Sequence, residues 1–361
     1  MAGHGGLCGK KPRPFGVEVA MESRNPPPMA EIGLVGLLRL SEVRAAWGAF
    51  LPGTSPVVRQ VNQGRPGDLR VPPSAWTEAG RQFGVMGTAF DYLVGSLWAG
   101  CSLSPVFARV HAVGIQTEQL QPVTHALEHL LNKELANARA GLRTECQEDF
   151  FRGLGLLAQL DAMFRAPVEP PAWVLNAGKD IAASGRLRRA LREHYPNDMA
   201  AELRALFAAT CEDLPREASV HYNPAFGCPP GLEHVGADGD LLVGETLWDL
   251  KVSKSPFTRD QIWQLLGYAA LDRLHGDRRI AKVGLYNPRF RHAWSLDVET
   301  YVQRLGGASL DRFCEWFRDE PAAHGAAAQA VRRPETVAAL RKAQPTKPDR
   351  VRRARAVGVP Q

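Results

Sequence analysis

The sequence lacks long apolar stretches. No run of about 18 apolar residues, the length that spans a bilayer as a helix, occurs in its 361 residues. The N-terminal stretch also lacks the apolar segment of a secretion signal. These two absences argue against an integral membrane protein and a secreted one. We expect a cytoplasmic protein without a membrane partner.

Cysteine is sparse and scattered along the chain. The six cysteines lie at positions 8, 101, 146, 211, 228 and 314, and no two of them form a Cys-x-x-Cys pair. A zinc ribbon and a disulfide framework both require clustered cysteines. The sequence therefore argues against both.

Excess positive charge is missing from most of the chain, although the net charge is +6. The whole chain has 44 Lys and Arg residues and 38 Asp and Glu residues. Residues 321–361 contain nine of the basic residues and two of the acidic ones, which leaves 35 basic and 36 acidic residues in the rest of the chain. We expect this segment to be a disordered basic tail, which could bind phosphates without sequence preference.

The most informative segment spans residues 236–251. Two short apolar stretches flank Gly244-Glu245, a pattern typical of a β-hairpin with a two-residue loop. If these two residues form the loop, Val243 pairs with Thr246. The register of every other residue of the hairpin follows from that pair.

Charged residues would then crowd one face of the hairpin. Counting outward gives two pairs on that face: Asp240 opposite Asp249, and Asp238 opposite Lys251. Directly opposed side chains lie roughly 5 Å apart, and like charges at that distance are destabilising. A hard divalent cation such as Mg²⁺, which binds carboxylates, removes the conflict. The spacing therefore predicts a metal site, and a metal beside a lysine suits phosphodiester hydrolysis.

Three motifs in order resemble a known nuclease family. Asp249-x-Lys251 follows the acid of the preceding strand, and Gln264-x-x-x-Tyr268 lies on the next predicted helix. Together they resemble the PD-(D/E)XK nuclease superfamily, and specifically its RecB-like branch. That branch also has an early helix with Gly-x-x-x-His, whose histidine binds metal, and here Asp91 stands at the histidine position.

The resemblance implies roles for individual residues. Asp240 and Asp249 would be the main ligands of Mg²⁺ or Mn²⁺, with the backbone carbonyl of Leu250 as a further ligand. Asp238 and Asp91 would complete or support this shell.

Other residues would act on water or on DNA. Lys251 would position the attacking water or stabilise the transition state, while Gln264 and Tyr268 would orient Lys251 or the phosphate. The last group is predicted to contact nucleic acid: Gln261, Lys254 and Arg259.

The resemblance also predicts the fold class and the domains. We expect an α/β protein with a restriction-endonuclease-like core, in which a helix accompanies a mixed sheet of four to five strands. The predicted segments are a disordered stretch at 1–30, a helical part with the Gly-x-x-x-Asp helix at 31–100, a large helical insertion at 101–218, and the nuclease core at 219–320. Within that core, residues 219–231 look irregular, strands are expected near 280–286 and 292–296, and a helix is expected over 298–318.

The sequence alone leaves the function open between three classes. The first is a metal-dependent deoxyribonuclease of repair, recombination or defence, for which RNA stays open as a substrate. The second is a catalytically silent nucleic-acid-binding module on the same fold. The third is a zinc metallopeptidase, since His125-x-x-Glu128-His129 matches an inverted zincin helix, with Glu145 or Glu148 as a third ligand.

Overall fold

The computed structural model describes most of the chain between residues 32 and 319. The predicted disordered segments, 1–30 and 321–361, lie outside this part, and so does Glu145. The described ranges are 32–80, 82–139, 147–165, 172–215, 219–227, 235–276 and 279–319.

Eight strands lie in the described residues, and all except the first follow residue 219. They are β1 (Ile32–Gly33), β2 (Val220–Tyr222), β3 (Ala225–Phe226), β4 (Val235–Asp238), β5 (Leu241–Val243), β6 (Thr246–Leu250), β7 (Lys282–Asn287) and β8 (His292–Asp297).

Five of the strands form a mixed sheet in the order β2-β5-β6-β7-β8. Strands β6 and β7 are parallel, while the other neighbouring pairs are antiparallel. The predicted α/β class with a mixed sheet is therefore confirmed. The irregular stretch predicted at 219–231 was wrong in part, because β2 and β3 lie there; both are too short to show an alternating pattern. A second, small sheet has the order β1-β4-β3.

Helices make up most of the remaining described structure. Their bounds are α1 (Leu34–Leu37), α2 (Ser41–Phe50), α3 (Thr54–Gln63), α4 (Ala75–Ala79), α5 (Phe83–Leu93), α6 (Ser104–Gln116), α7 (Gln121–Arg139), α8 (Gln147–Arg165), α9 (Ala172–Ser184), α10 (Leu187–His194), α11 (Asn197–Asp213), α12 (Arg259–His275), α13 (Val298–Leu305) and α14 at 310–319.

Two apolar cores hold these elements together. One fills the space between helices α5 to α11 and one face of the sheet, and it contains the fully buried Leu127 and Leu157. The other lies between α12 and the opposite face, where Trp47 and Trp263 meet with ring centroids 5.8 Å apart. Full burial of one large apolar side chain, such as a leucine, contributes about 1.5–3 kcal/mol to the free energy of folding. Helices α6 to α11 lie in the described part of the stretch 101–218, and that this stretch is an insertion stays a prediction.

The last predicted helix is interrupted. A single helix was expected over 298–318, but α13 ends at Leu305 and α14 begins at 310. Gly306 adopts a left-handed conformation with φ of +96°, which ends a helix and favours glycine.

Within the described ranges, we find no helix that combines the length and the apolar character required to cross a membrane.

Candidate metal centre

The predicted hairpin forms with the predicted register. Gly244 and Glu245 make the turn between β5 and β6, and Val243 pairs with Thr246. Gly244 has a φ of +57°, as the first central residue of a type II′ turn requires, and only glycine adopts it without strain. The pairing continues outward to Leu241 and Trp248.

Asp240, Asp249 and Lys251 meet where this hairpin ends. The Lys251 Nζ lies 2.6 Å from Asp249 Oδ1 and 3.9 Å from Asp240 Oδ2. The backbone amide of Leu250 donates to Asp240 Oδ2 at 2.6 Å, which fixes that carboxylate against β6. The amide of Lys251 donates to the Tyr286 carbonyl of β7 at 2.9 Å. Two strands thus hold the acid–lysine group, and the crowding predicted for Asp240 and Asp249 is present.

Asp238 does not join this group, so its predicted position opposite Lys251 was wrong. It pairs instead with Ala225 in the small sheet and is exposed to solvent. The chain leaves the hairpin at Gly239, whose amide donates to the Pro224 carbonyl at 3.0 Å. Alternate residues therefore face the same side of the hairpin only as far as Asp240, because β4 belongs to another sheet.

Asp91 lies on α5, far from the hairpin in sequence, and acts on the same group. Burial raises the pKa of Asp91, and so do the charges of Asp240 and Asp249, whereas Lys251 lowers it. These mutual effects place the Asp91 carboxylate in the same electrostatic environment as the hairpin acids. We call Asp91, Asp240, Asp249 and Lys251 the acidic cluster.

A π-helical turn, Val94–Trp98, follows α5 directly and contacts strand β2 of the sheet. The ring of Tyr222 on β2 lies so close to Gly95 that a Cβ there would be 2.5 Å from it. The absence of a side chain at Gly95 therefore lets α5 approach the sheet. Such π-helical turns often occur at functional sites.

Asp249 is the most unusual member of the acidic cluster, since its side chain is 0% exposed. Burial raises its pKa to about 7; Lys251 opposes this shift and Asp240 adds to it. Burial also acts against the charge on Lys251, but Asp249 and Asp240 outweigh it and raise the pKa of the ammonium. Among the described residues, no donor reaches the second oxygen of Asp249, Oδ2. An orphaned buried carboxylate oxygen is costly, and a bound cation would satisfy it.

Gln264 and Tyr268 lie beside the acidic cluster on α12. The Gln264 side-chain amide donates a hydrogen bond to the Tyr268 hydroxyl, as their four-residue spacing allows. Burial raises the pKa of Tyr268, and the charges of Asp249 and Asp240 raise it further. The hydroxyl therefore stays protonated and feels the field of the cluster.

The three residues predicted to contact nucleic acid have other partners. Gln261 forms a capping box with Thr258 at the start of α12, so its side chain is held by its own helix. Lys254 pairs with Glu78 at 2.6 Å, and the Arg259 guanidinium lies 5.5 Å from the Trp263 ring. None of these contacts involves a member of the acidic cluster, and their contact with nucleic acid stays a prediction.

A second polar network near Asp91 carries no motif and was not predicted. The buried Asp161 accepts from the Tyr92 hydroxyl at 2.6 Å and from Arg109 Nε at 2.7 Å, and it also pairs with Arg165. Arg165 lowers the pKa of Asp91, so its charge is felt at the acidic cluster. The four-residue spacing of Asp161 and Arg165 on α8 was the available sequence signal.

A cavity of about 360 Å³ lies between α5 and α8 beside this network. Thr88, one of its lining residues, is three positions before Asp91 on α5 and therefore on the same side of the helix. The cavity is lined by Gln82, Gly84, Val85, Thr88, Ala162 and Arg165.

The predicted zinc helix is arranged differently from its motif. Candidate ligand atoms of His125 and Glu128 lie within 4.8 Å of each other and of one on His111, and His129 is not part of this group. Glu148, one of the two predicted third ligands, pairs with Arg204 instead. The described residues therefore do not assemble the set that His125-x-x-Glu128-His129 predicts.

No family model, no curated protein and no solved structure matches this chain. Any function assigned to the acidic cluster consequently rests on its residues and their geometry.

Proposed function

We propose that this protein is a metal-dependent nuclease that hydrolyses phosphodiester bonds of DNA through the acidic cluster. The observation that carries the proposal is the state of Asp249. One oxygen of this fully buried carboxylate pairs with Lys251 at 2.6 Å, while its second oxygen has no donor among the described residues. Most buried carboxylate oxygens have a donor, and a bound cation would satisfy this one.

The donor set of the acidic cluster fits Mg²⁺ or Mn²⁺. Asp240 and Asp249 would hold the ion, with Asp91 as the third carboxylate and the Leu250 carbonyl as a further ligand. Hard cations prefer such oxygen donors. When bound, the ion would polarise the phosphoryl oxygen and lower the pKa of a coordinated water.

Lys251 would act on the attacking water or on the charge that develops at phosphorus. Its ammonium lies between Asp249 and Asp240, at 2.6 and 3.9 Å, so its position is fixed before substrate binds. A donor that is already oriented lowers the barrier because nothing has to reorganise. The protonated Tyr268 hydroxyl, held by Gln264, would support the orientation of Lys251 or of the phosphate.

Arg165 and Arg109 support an anionic substrate. Their side chains are 56% and 35% exposed, and both are anchored by the fully buried Asp161. Guanidinium groups fixed in this way bind phosphate oxygens well. Arg165 also acts on the charge of Asp91, which supports a path of a nucleic-acid backbone from these arginines toward the acidic cluster.

Cleavage assays with linear and circular DNA test the proposal, with Mg²⁺ or Mn²⁺ and with EDTA. The test variants are Asp249→Asn and Lys251→Ala. The matched controls are Glu245→Gln and Lys282→Ala, which change an exposed acid and an exposed lysine at the opposite end of the same strands. We expect metal-dependent cutting in the wild type and both controls, and a loss of about 10³-fold in both test variants.

Two outcomes would contradict the proposal. Full activity of Lys251→Ala would remove the lysine from the mechanism. DNA binding by the wild type without cutting, in either metal, would favour the silent nucleic-acid-binding module. The circular substrate also tells whether a free end is needed.

A further inference from the structure

A second group of ligand-type side chains, which contains no member of the acidic cluster, lies between α6 and α7. His111 belongs to α6, and His125 and Glu128 belong to α7, three residues apart on one helical face. The two helices are joined by the short 3-10 turn Glu118–Leu120. Candidate ligand atoms of the three side chains all lie within 4.8 Å of one another.

Close packing of the two helices brings His111 to α7. A Cβ on Gly114 would lie 3.0 Å from the Thr124 hydroxyl and 3.3 Å from the Gln121 Cα, so the bare glycine permits the approach. His111 lies three residues before Gly114 and therefore on the same side of α6. The close approach of α6 to α7 at Gly114 therefore determines where the His111 ring lies.

The hydrogen bonds of His111 hold its ring between the two helices. Its Nδ1 lies 3.1 Å from the Thr124 hydroxyl, which itself lies 3.0 Å from the Gln121 carbonyl. When the Thr124 proton is donated to that carbonyl, Thr124 accepts from Nδ1–H. Nε2 forms a 2.7 Å hydrogen bond with Glu128 Oε2. A bound cation would displace the proton of this bond and be held by the same two atoms.

We propose that His111, His125 and Glu128 bind a zinc ion that clamps α6 to α7. Two imidazole nitrogens and one carboxylate are a common zinc donor set, and the fourth position of the tetrahedron would take water. The Nδ1–H···Thr124 bond is the outer contact that orients such a histidine. Tetrahedral binding needs a separation of about 3.3 Å between Nε2 and Oε2. The two atoms lie 2.7 Å apart in the structure, so zinc binding would require these partly exposed side chains, 24% and 35% exposed, to separate by about 0.6 Å.

This site differs from the predicted peptidase helix in both ligands and role. His129 is exposed on the same helix but outside the ligand group. Glu128 would be a ligand here, so it would not serve as the general base of a peptidase. The ion would stabilise the helical region, independently of the acidic cluster.

Zinc titration of the full chain tests this proposal, with Mg²⁺ in excess so that it occupies the acidic cluster. Zn²⁺ affinity is measured by competition with a chromophoric chelator, and Co²⁺ is added separately to read its visible absorption. The variants are His125→Ala, Glu128→Gln, Thr124→Val and His111→Ala, with His129→Ala as the matched control. Circular dichroism checks that each variant is folded.

We expect zinc affinity to fall by about 100-fold or more when a ligand is removed and by about 10-fold in Thr124→Val, while His129→Ala binds as the wild type does. Zinc should also raise the melting temperature of the wild type but not of His125→Ala. Absence of tight zinc binding in the wild type would overturn the proposal. So would loss of binding in His129→Ala together with retention in His111→Ala, which would indicate the linear motif instead.

Discussion

Two buried carboxylates, in different regions of this protein, differ in the number of cationic partners that surround them. In the helical region, Asp149 is 1% exposed and both of its oxygens are bonded by arginines. Arg152 lies at 2.9 Å, Arg192 at 2.9 Å and Arg188 at 3.3 Å. In the hairpin region, Asp249 is equally buried but has a single lysine, which it shares with a second acid.

The pKa values follow from this difference in partners. Burial acts to raise the pKa of Asp149, but the hydrogen bonds and charges of Arg192, Arg152 and Arg188 outweigh it and lower the pKa. Burial raises the pKa of Asp249, and Lys251 does not outweigh it. The same residue type is thus a structural anchor where cations surround it. It is a candidate reactive group where a cation is missing.

The largest expected effect comes from exchanging the two acids for asparagine in turn. Asp249→Asn should lower cleavage about 10³-fold with little change in stability, because it removes a buried charge and a proposed ligand. Asp149→Asn should lower the free energy of unfolding by about 3 kcal/mol, because it leaves the buried Arg152 without its anion. Denaturation by urea and cleavage per folded molecule measure both. Equal stability losses in the two variants would remove the contrast.

Mg²⁺ should stabilise the protein through the acidic cluster and not through Asp149. At a Mg²⁺ concentration 100 times the Kd, the wild type should gain about 2.7 kcal/mol in its free energy of unfolding. Asp249→Asn should gain little, whereas Asp149→Asn should gain as much as the wild type. Thermal melts with Mg²⁺ and with EDTA provide the comparison. A gain of the same size in Asp249→Asn would place the ion elsewhere.

The metal-free protein should show a pH dependence that originates at Asp249. Its pKa is raised to about 7 in the native state, whereas an unfolded aspartate titrates near about 3.9. Between these values the native state binds more protons, so the contribution of Asp249 to stability is full below about pH 4 and is lost as the pH rises to about 7. Each such group contributes a slope of at most about 1.4 kcal/mol per pH unit. Urea titrations at several pH values in EDTA should show a steeper slope in the wild type than in Asp249→Asn, which keeps the part that Asp91 contributes.

The smallest effect is expected at Asp238, the acid that pairs with Ala225 in the small sheet and not with Lys251. Because it is exposed and pairs with β3, Asp238→Asn should change cleavage by less than about threefold. Steady-state cleavage rates of Asp238→Asn and Asp240→Asn, measured side by side, test this expectation. A loss comparable to that of Asp240→Asn would restore Asp238 to the metal shell and show that β4 moves when substrate binds.

Local patterns were enough to predict the hairpin and its acid–lysine group. A two-residue turn fixes the register, and alternation then places Asp240, Asp249 and Lys251 on one face. The same counting failed at Asp238, because the small sheet draws β4 away from the hairpin at Gly239. That pairing depends on β3, which is two residues long and leaves no periodic signal.

Contacts between helices could not be predicted from the sequence. The charge of Arg165 acts on Asp91 because α8 packs on α5, and His111 reaches Glu128 because Gly114 lets α6 approach α7. Each partner lies on a different helix, and helical periodicity reports only which face is apolar. The linear motif at 125–129 therefore suggested His129 as a ligand, although the structure brings His111 to Glu128 instead.

The place of Asp91 has a consequence for how the protein is made. About 150 residues of chain, including all of α6 to α11, separate it from Asp240. Contacts across such a distance close a long loop and form slowly. A growing chain that ends before the hairpin holds Asp91 without Asp240, Asp249 and Lys251. The acidic cluster cannot exist on a partly synthesised chain, so whatever reaction it performs begins only after the helical region and the sheet have both been completed.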